Sequence, residues 1–249
     1  MGDPIDLAIL IVAAFGGGLL NAAAGGGTFL TLPALMAVGV PPVIANATGT
    51  VALLPGYIAS TLGFREDLQR RRDISLRTIV VASLAGGVCG AILLQITPNA
   101  AFRQIVPWFM LVATLWFALW PLVQARGTRK SNAGTTATFL GVFAVAVYGG
   151  YFNGGLGIIL LALFGALGFS DLNFMNGLKN AASAILTTIA TVVYAWGGLV
   201  YWGHAGLMMV AAIIGGYVGA RWARRIPSRW LRAGVVSIGT LMTIIFFIW

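Results

Sequence analysis

Apolar residues run through this chain in long blocks separated by short polar or basic stretches. The blocks fall at about 5–38, 44–63, 78–96, 104–123, 135–168, 174–197, 204–222 and 232–248. A helix that crosses a bilayer needs ~20 mostly apolar residues, so six of the blocks are each one span long. The other two, 5–38 and 135–168, are too long for one span and too short for two. Both are interrupted near the middle, the first by "NAAAGGG" (Asn21 to Gly27) and the second by "NGGLG" (Asn153 to Gly157). Glycine inside a helix costs roughly 1 kcal/mol relative to alanine, so these clusters predict breaks rather than continuous rods.

Composition carries the same message. The chain is 59% hydrophobic and 8% charged, with a mean hydropathy of +0.93, whereas a soluble domain carries about 25% charged residues. It reads as an all-α integral membrane protein with little left over for a soluble domain. The single cysteine, Cys89, excludes an internal disulfide. The start, "MGDPID", is acidic and lacks the basic region of a signal peptide. Of the 15 Lys and Arg residues, 13 sit in three connections. These hold Arg65, Arg70, Arg71, Arg72 and Arg77; then Arg126, Arg129 and Lys130; then Arg221, Arg224, Arg225, Arg229 and Arg232. Basic connections between spans mark cytoplasmic loops. A nucleic-acid partner would need a folded domain to display them, and none is present.

The two halves of the chain resemble each other. "GGLLN" (Gly17 to Asn21) matches "GGYFN" (Gly149 to Asn153), and Gly25 matches Gly157, both at an offset of 132 residues. "AVGV" (Ala37 to Val40) matches "ALGF" (Ala166 to Phe169), "GGVCGA" (Gly86 to Ala91) matches "GGYVGA" (Gly215 to Ala220), and Pro98 matches Pro227, all at 129. This order predicts a duplication, with residues 1–125 and 126–249 as two repeats of one transmembrane domain. Placing all three basic connections on the cytoplasmic side requires that 135–168 enter and leave the membrane on one side, as a re-entrant hairpin. The repeat demands the same of 5–38. Each half then crosses three times, so the repeats are inverted, both termini face outward, and a binding site is expected near the midplane where they meet.

Non-helical backbone at membrane depth is tolerated only inside protein or against a watery cavity. The second arms of the two hairpins, beginning near Thr28 and Gly157, would then aim their N-termini at the membrane centre, where partial positive charge suits an anion. Gly25, Gly26, Gly27, Gly155 and Gly157 would let a ligand reach the backbone, and Asn21, Thr28 and Asn153 would add hydrogen bonds. The alternative use of those glycines is close helix packing. A second polar set follows each hairpin: Asn46 and Thr50 in "ANATGT", and Asn176, Lys179 and Asn180 in "NGLKN". An intramembrane cation marks a candidate site, against which stands snorkelling of Lys179 to the cytoplasmic surface.

Other chemistries lack their residues. His204 is the one histidine, Asp6 and Asp171 lie at segment ends, and neither a Cys/His cluster nor a P-loop is present. No metal, cofactor or catalytic residue is expected, and an intramembrane enzyme would lack a buried base. The Trp and Tyr residues of "WGGLVYWGH" read as an interfacial aromatic belt.

Three stretches together resemble the TauE/SafE family of membrane permeases, the sulfite exporter family: "GGGTFLTLPALMAVGVPPVIANATGT", "MNGLKNAASAILTTIATVVYAWGGLVYW" and "GGYVGARWARRIPSRWLR". The resemblance implies a secondary transporter of the bacterial inner membrane that moves a small sulfur-containing anion such as sulfite, sulfoacetate or a similar organosulfonate. It implies that Gly25 to Thr28, Asn46 and Thr50, with Asn153 to Gly157, Asn176 and Lys179, line the route. Scarcity of buried carboxylates, with no obvious seat for a coupling cation, points to export. A passive small-anion channel is the alternative. The partners expected are the anion and the lipid bilayer, and a homodimer is compatible with the pattern.

Overall fold

The computed structural model describes residues 3–23, 25–69, 76–125, 134–169, 171–223 and 228–248. Arg70, Arg71, Arg72, Arg126, Arg129, Lys130, Arg224 and Arg225 of the basic connections lie outside them. The described residues form helices without strands: α1 (Pro4–Ala23), α2 (Thr28–Ala37), α3 (Pro42–Gly63), α4 (Arg65–Gln69), α5 (Leu76–Ile96), α6 (Asn99–Ala125), α7 (Thr135–Tyr151), α8 (Leu156–Ala166), α9 (Leu172–Trp196), α10 (Trp202–Ala223) and α11 (Ser228–Ile248).

Both over-long blocks are helical hairpins. In the first, Gly16 faces Leu30 and Gly17 faces Thr31; in the second, Gly141 faces Leu163 and Gly149 faces Leu156. The second arms have 10 and 11 residues. At 1.5 Å per residue that is about 15 Å, half of a ~30 Å hydrocarbon core. The first arm of the first hairpin is longer: Pro4–Ala22 is long and apolar enough, by length and composition, to cross alone. It is one of five such helices among the described residues, with Pro42–Gly63, Leu76–Ile96, Leu172–Trp196 and Trp202–Gly219.

Matched sequences make matched structures. α2 and α8 both stop at a glycine in the left-handed region, Gly39 at φ 84° and Gly168 at φ 94°. In each case the next residue donates back five positions, Val40 N–H to the Leu35 carbonyl and Phe169 N–H to the Phe164 carbonyl, both at 3.0 Å. This is the Schellman stop, whose hydrophobic clasp here joins Phe164 to Phe169. "AVGV" and "ALGF" therefore form the same kind of helix terminus.

The "GGVCGA" and "GGYVGA" stretches are contact faces. An added Cβ on Gly90 of α5 would lie 2.1 Å from the Val147 carbonyl oxygen of α7, and one on Gly215 of α10 would lie 2.0 Å from that of Phe15 in α1. Gly86 meets Phe143 and Ala146 of α7, and Gly219 meets Leu19 of α1. Close approach through small residues is how helices pack without a hydrophobic driving force. The first arm of each hairpin therefore lies parallel to a helix from the other half of the chain.

End-to-end contacts sort the helix termini. Val43 N–H donates to Asn99 Oδ1 at 3.0 Å, and Tyr201 N–H to Thr48 Oγ1 at 3.1 Å. Gln95 covers Gly197, and Trp108 meets Phe247 edge-on with centroids 5.1 Å apart. These place the starts of α3, α6 and α10 with the ends of α5, α9 and α11. α1 runs parallel to α10, so its start shares that side. At the opposite side, Phe64 and Leu68 pack on Gly177 near the start of α9. The outer surface is apolar, with Val12, Leu62, Ile96 and Val112 each more than half exposed, as a lipid-facing surface requires.

Candidate functional site

The two hairpin tips meet in the interior. In the first, Gly25 takes φ 87° and its N–H donates to the Leu20 carbonyl at 3.0 Å. Gly27 precedes α2, and its N–H donates to Asn21 Oδ1 at 3.0 Å. In the second, Asn153 takes φ 62° and Gly155 φ 71°; asparagine is among the few side chains that visit this region readily. A Cβ on Gly25 would fall 2.4 Å from Gly157 Cα and 2.7 Å from its nitrogen. Gly25 and Gly157 therefore pack backbone to backbone. The sequence match of Gly25 with Gly157 pairs residues that touch; by conformation the counterpart of Gly25 is Asn153.

Each half braces the other's tip. Asn46 of α3 donates through Nδ2 to the Tyr151 carbonyl at the end of α7, at 2.9 Å. Lys179 of α9 donates to the Asn21 carbonyl near the end of α1, at 3.4 Å. Last-turn carbonyls have no partner within their helix, so each tip is capped from the other half of the chain. Tyr57 of α3 adds a third link. Its hydroxyl donates to Asn153 Oδ1 at 3.2 Å and lies beside Asn21. The second tip has two further ties, from the Tyr148 hydroxyl to the Gly154 carbonyl and from the Tyr194 hydroxyl to the Gly150 carbonyl.

Lys179 is fully buried and is the one buried charged residue among those described. The ammonium turns into the protein toward Asn21 and does not snorkel to a surface. No described carboxylate is buried; Asp3, Glu66 and Asp171 are exposed, and Asp6 and Asp67 half-exposed. The partner of the charge is the carbonyl end of α1. The buried residues of the expected site also include under-satisfied polar atoms. Asn21 Nδ2, Asn153 Nδ2, Asn46 Oδ1, both side-chain polar atoms of Asn180, and the hydroxyls of Thr28 and Thr50 are buried without a partner. Buried polar atoms are nearly always hydrogen-bonded, so such a set calls for an explanation. The described cavities, one of about 220 Å³ beside Pro33, Arg103 and Met242 and one of about 460 Å³ beside Arg77 and Thr135, do not include the tips.

Of the expected site residues, Asn21, Gly25, Gly27, Asn46, Asn153, Gly157 and Lys179 are joined by these contacts. Gly26 is buried within the first tip. Thr28, Thr50 and Asn180 are buried one turn or less from members of that set. Gly155 faces Ala113 of α6. Asn176 is half-buried and donates to its own helix at the Leu172 carbonyl, 3.0 Å away, one turn short of Asn180. Sequence reasoning missed Tyr57 and the buried, unpartnered hydroxyls of Thr31, Ser183 and Thr187. The signal for the last two is helical spacing: Asn180, Ser183 and Thr187 share one face of α9.

The family model described as "Sulfite exporter TauE/SafE" matches residues 10–246. The chain belongs to the TauE/SafE family. Membership makes it a multi-pass transporter of the inner membrane rather than an enzyme. It is 28% identical over 251 residues to "Probable membrane transporter protein YfcA" of Escherichia coli (strain K12), covering 98% of this chain and 90% of that protein. It is 28% identical over 247 residues to a "Probable membrane transporter protein" of Haemophilus influenzae, covering 95% and 92%. No solved structure matches it significantly.

Proposed function

We propose that this TauE/SafE protein is a secondary transporter that exports a small sulfur-containing anion, such as sulfite or an organosulfonate, held where the two hairpin tips meet. One observation carries the reading: Lys179 is a buried cation with no buried carboxylate among the described residues, in contact at 3.4 Å with the carbonyl of Asn21, whose own side-chain Nδ2 is buried without a partner. An uncompensated interior charge costs several kcal/mol, and a mobile anion removes that cost whenever it binds. The amides of Asn21, Asn153 and Asn180 and the hydroxyls of Thr28 and Thr50 supply donors for its oxygens. The halves act as inverted repeats that close over this point, a reading supported by the cross-braces of Asn46 and Lys179. Tips packed as tightly as Gly25 on Gly157 favour a carrier with an occluded site over an open pore.

The test is anion binding to purified protein, measured by calorimetry with sulfite and methanesulfonate. Lys179→Met should weaken binding far more than Lys179→Arg, because loss of one partner of a buried charged contact costs about 2–5 kcal/mol. Wild-type affinity in Lys179→Met would overturn the assignment. Counterflow of labelled anion in liposomes separates a carrier from a channel.

A further inference from the structure

We infer that the site selects by charge and takes monoanionic oxyanions, hydrogensulfite or a simple sulfonate, in preference to dianions such as sulfate, thiosulfate or sulfoacetate. This rests on the proposed site and concerns which anions it admits.

The net charge at the tips decides the matter. A helix N-terminus carries roughly half a positive elementary charge and a C-terminus half a negative one. A hairpin tip brings one of each together: the end of α1 stands beside the start of α2, and the end of α7 beside the start of α8. The two dipole ends largely cancel. Both starts are also buried against other groups. The Gly27 N–H is held by Asn21 Oδ1, and the Gly157 backbone is covered by Gly25. One whole positive charge remains, that of Lys179, which rests against the Asn21 carbonyl. Arg65, Arg77, Arg103 and Arg221 are exposed.

A monoanion that replaces the Asn21 carbonyl as the partner of Lys179 makes the site neutral. Its three oxygens find neutral donors in Asn21 Nδ2, Asn153 Nδ2, Asn180 Nδ2 and the Thr28 and Thr50 hydroxyls, all buried and unpartnered. A dianion leaves one negative charge unmatched in a low-dielectric interior. Its desolvation cost also rises with the square of its charge, while the attraction to one ammonium only doubles. The second charge therefore makes binding worse.

Two permanently charged probe sets test this without any change of pH: methanesulfonate and ethanesulfonate against sulfate and thiosulfate. They are titrated into purified full-length protein and followed by calorimetry. The expected result is affinity for the monoanions at least about tenfold greater than for the dianions, a difference of one 1.4 kcal/mol step. Asn180→Lys or Thr50→Lys, each adding a second cation at a buried donor position, should narrow or reverse that ratio. Dianions binding as tightly as monoanions to the wild type would overturn the charge rule and leave the anion site standing. Binding of neither set would remove the proposed function itself. The wild-type comparison decides the question even where a lysine variant does not fold.

Discussion

Substituting Gly25 by alanine probes the meeting of the two tips. The new Cβ would fall 2.4 Å from Gly157 Cα, closer than packed atoms approach, and the obstacle is backbone that cannot rotate aside. Alanine must also adopt φ 87°, a left-handed conformation that costs roughly 1–2 kcal/mol. Overpacking adds about 1–3 kcal/mol, so the sum is ~2–5 kcal/mol. Gly39→Ala isolates the two components. Gly39 has φ 84° and nothing within 4 Å of its added Cβ, so it carries the conformational term alone. Thermal unfolding of both variants in one detergent should show Gly25→Ala melting lower by on the order of 5 °C, taking about 2–4 °C per kcal/mol for a chain of this size. Equal melting temperatures would mean that the tips do not touch in the folded protein, and the site built on their contact would go with it.

Other outcomes follow from the packing and the charges. Gly215→Ala, whose Cβ would fall 2.0 Å from the Phe15 oxygen, should destabilise by about 1–3 kcal/mol, while Gly206→Ala, with open space around it, should be neutral or gain up to ~1 kcal/mol; chemical unfolding in mixed micelles reads both. Cysteines introduced at Asp3 and Ile248 should both react with an impermeant maleimide from the outer side of right-side-out vesicles, and protection of either contradicts the shared side of the termini. In liposomes with a potassium diffusion potential, flux should follow the potential without sodium or a proton gradient. An inside-negative potential drives a monoanion outward by ~2.3 kcal/mol per 100 mV, and flux that appears only with a cation gradient would refute uncoupled export.

Much of this arrangement was legible in the chain. The broken blocks at "NAAAGGG" and "NGGLG" are hairpins because glycine runs cannot hold a helix, and "AVGV" and "ALGF" are stops because only glycine takes φ near 90° without strain. Lys179 stood out as a lone intramembrane cation in the polar stretch "NGLKN". What could not be read was the partner of each feature. The glycines of "GGVCGA" look the same whether they face lipid, a ligand or α7, since a contact across 60 residues leaves no local periodicity. Gly25 reads as space for a ligand until Gly157 is seen in that space. Tyr57 sits in the apolar run "LLPGYIAS", where nothing marks its hydroxyl as a donor to Asn153.

The exchange of helix contacts between the halves bears on how the protein is made. When residues 1–125 have left the ribosome, the Phe15–Leu19 face of α1 and the Gly86–Gly90 face of α5 have no partner, because α10 and α7 are not yet synthesised. Asn46 has no carbonyl to cap, and nothing caps Asn21 from α9. The first half is thus a set of inserted helices waiting for its complement. Biogenesis ends in one late assembly step rather than two independent ones. Expressed as separate fragments, the halves should be degraded alone and rescued by co-expression.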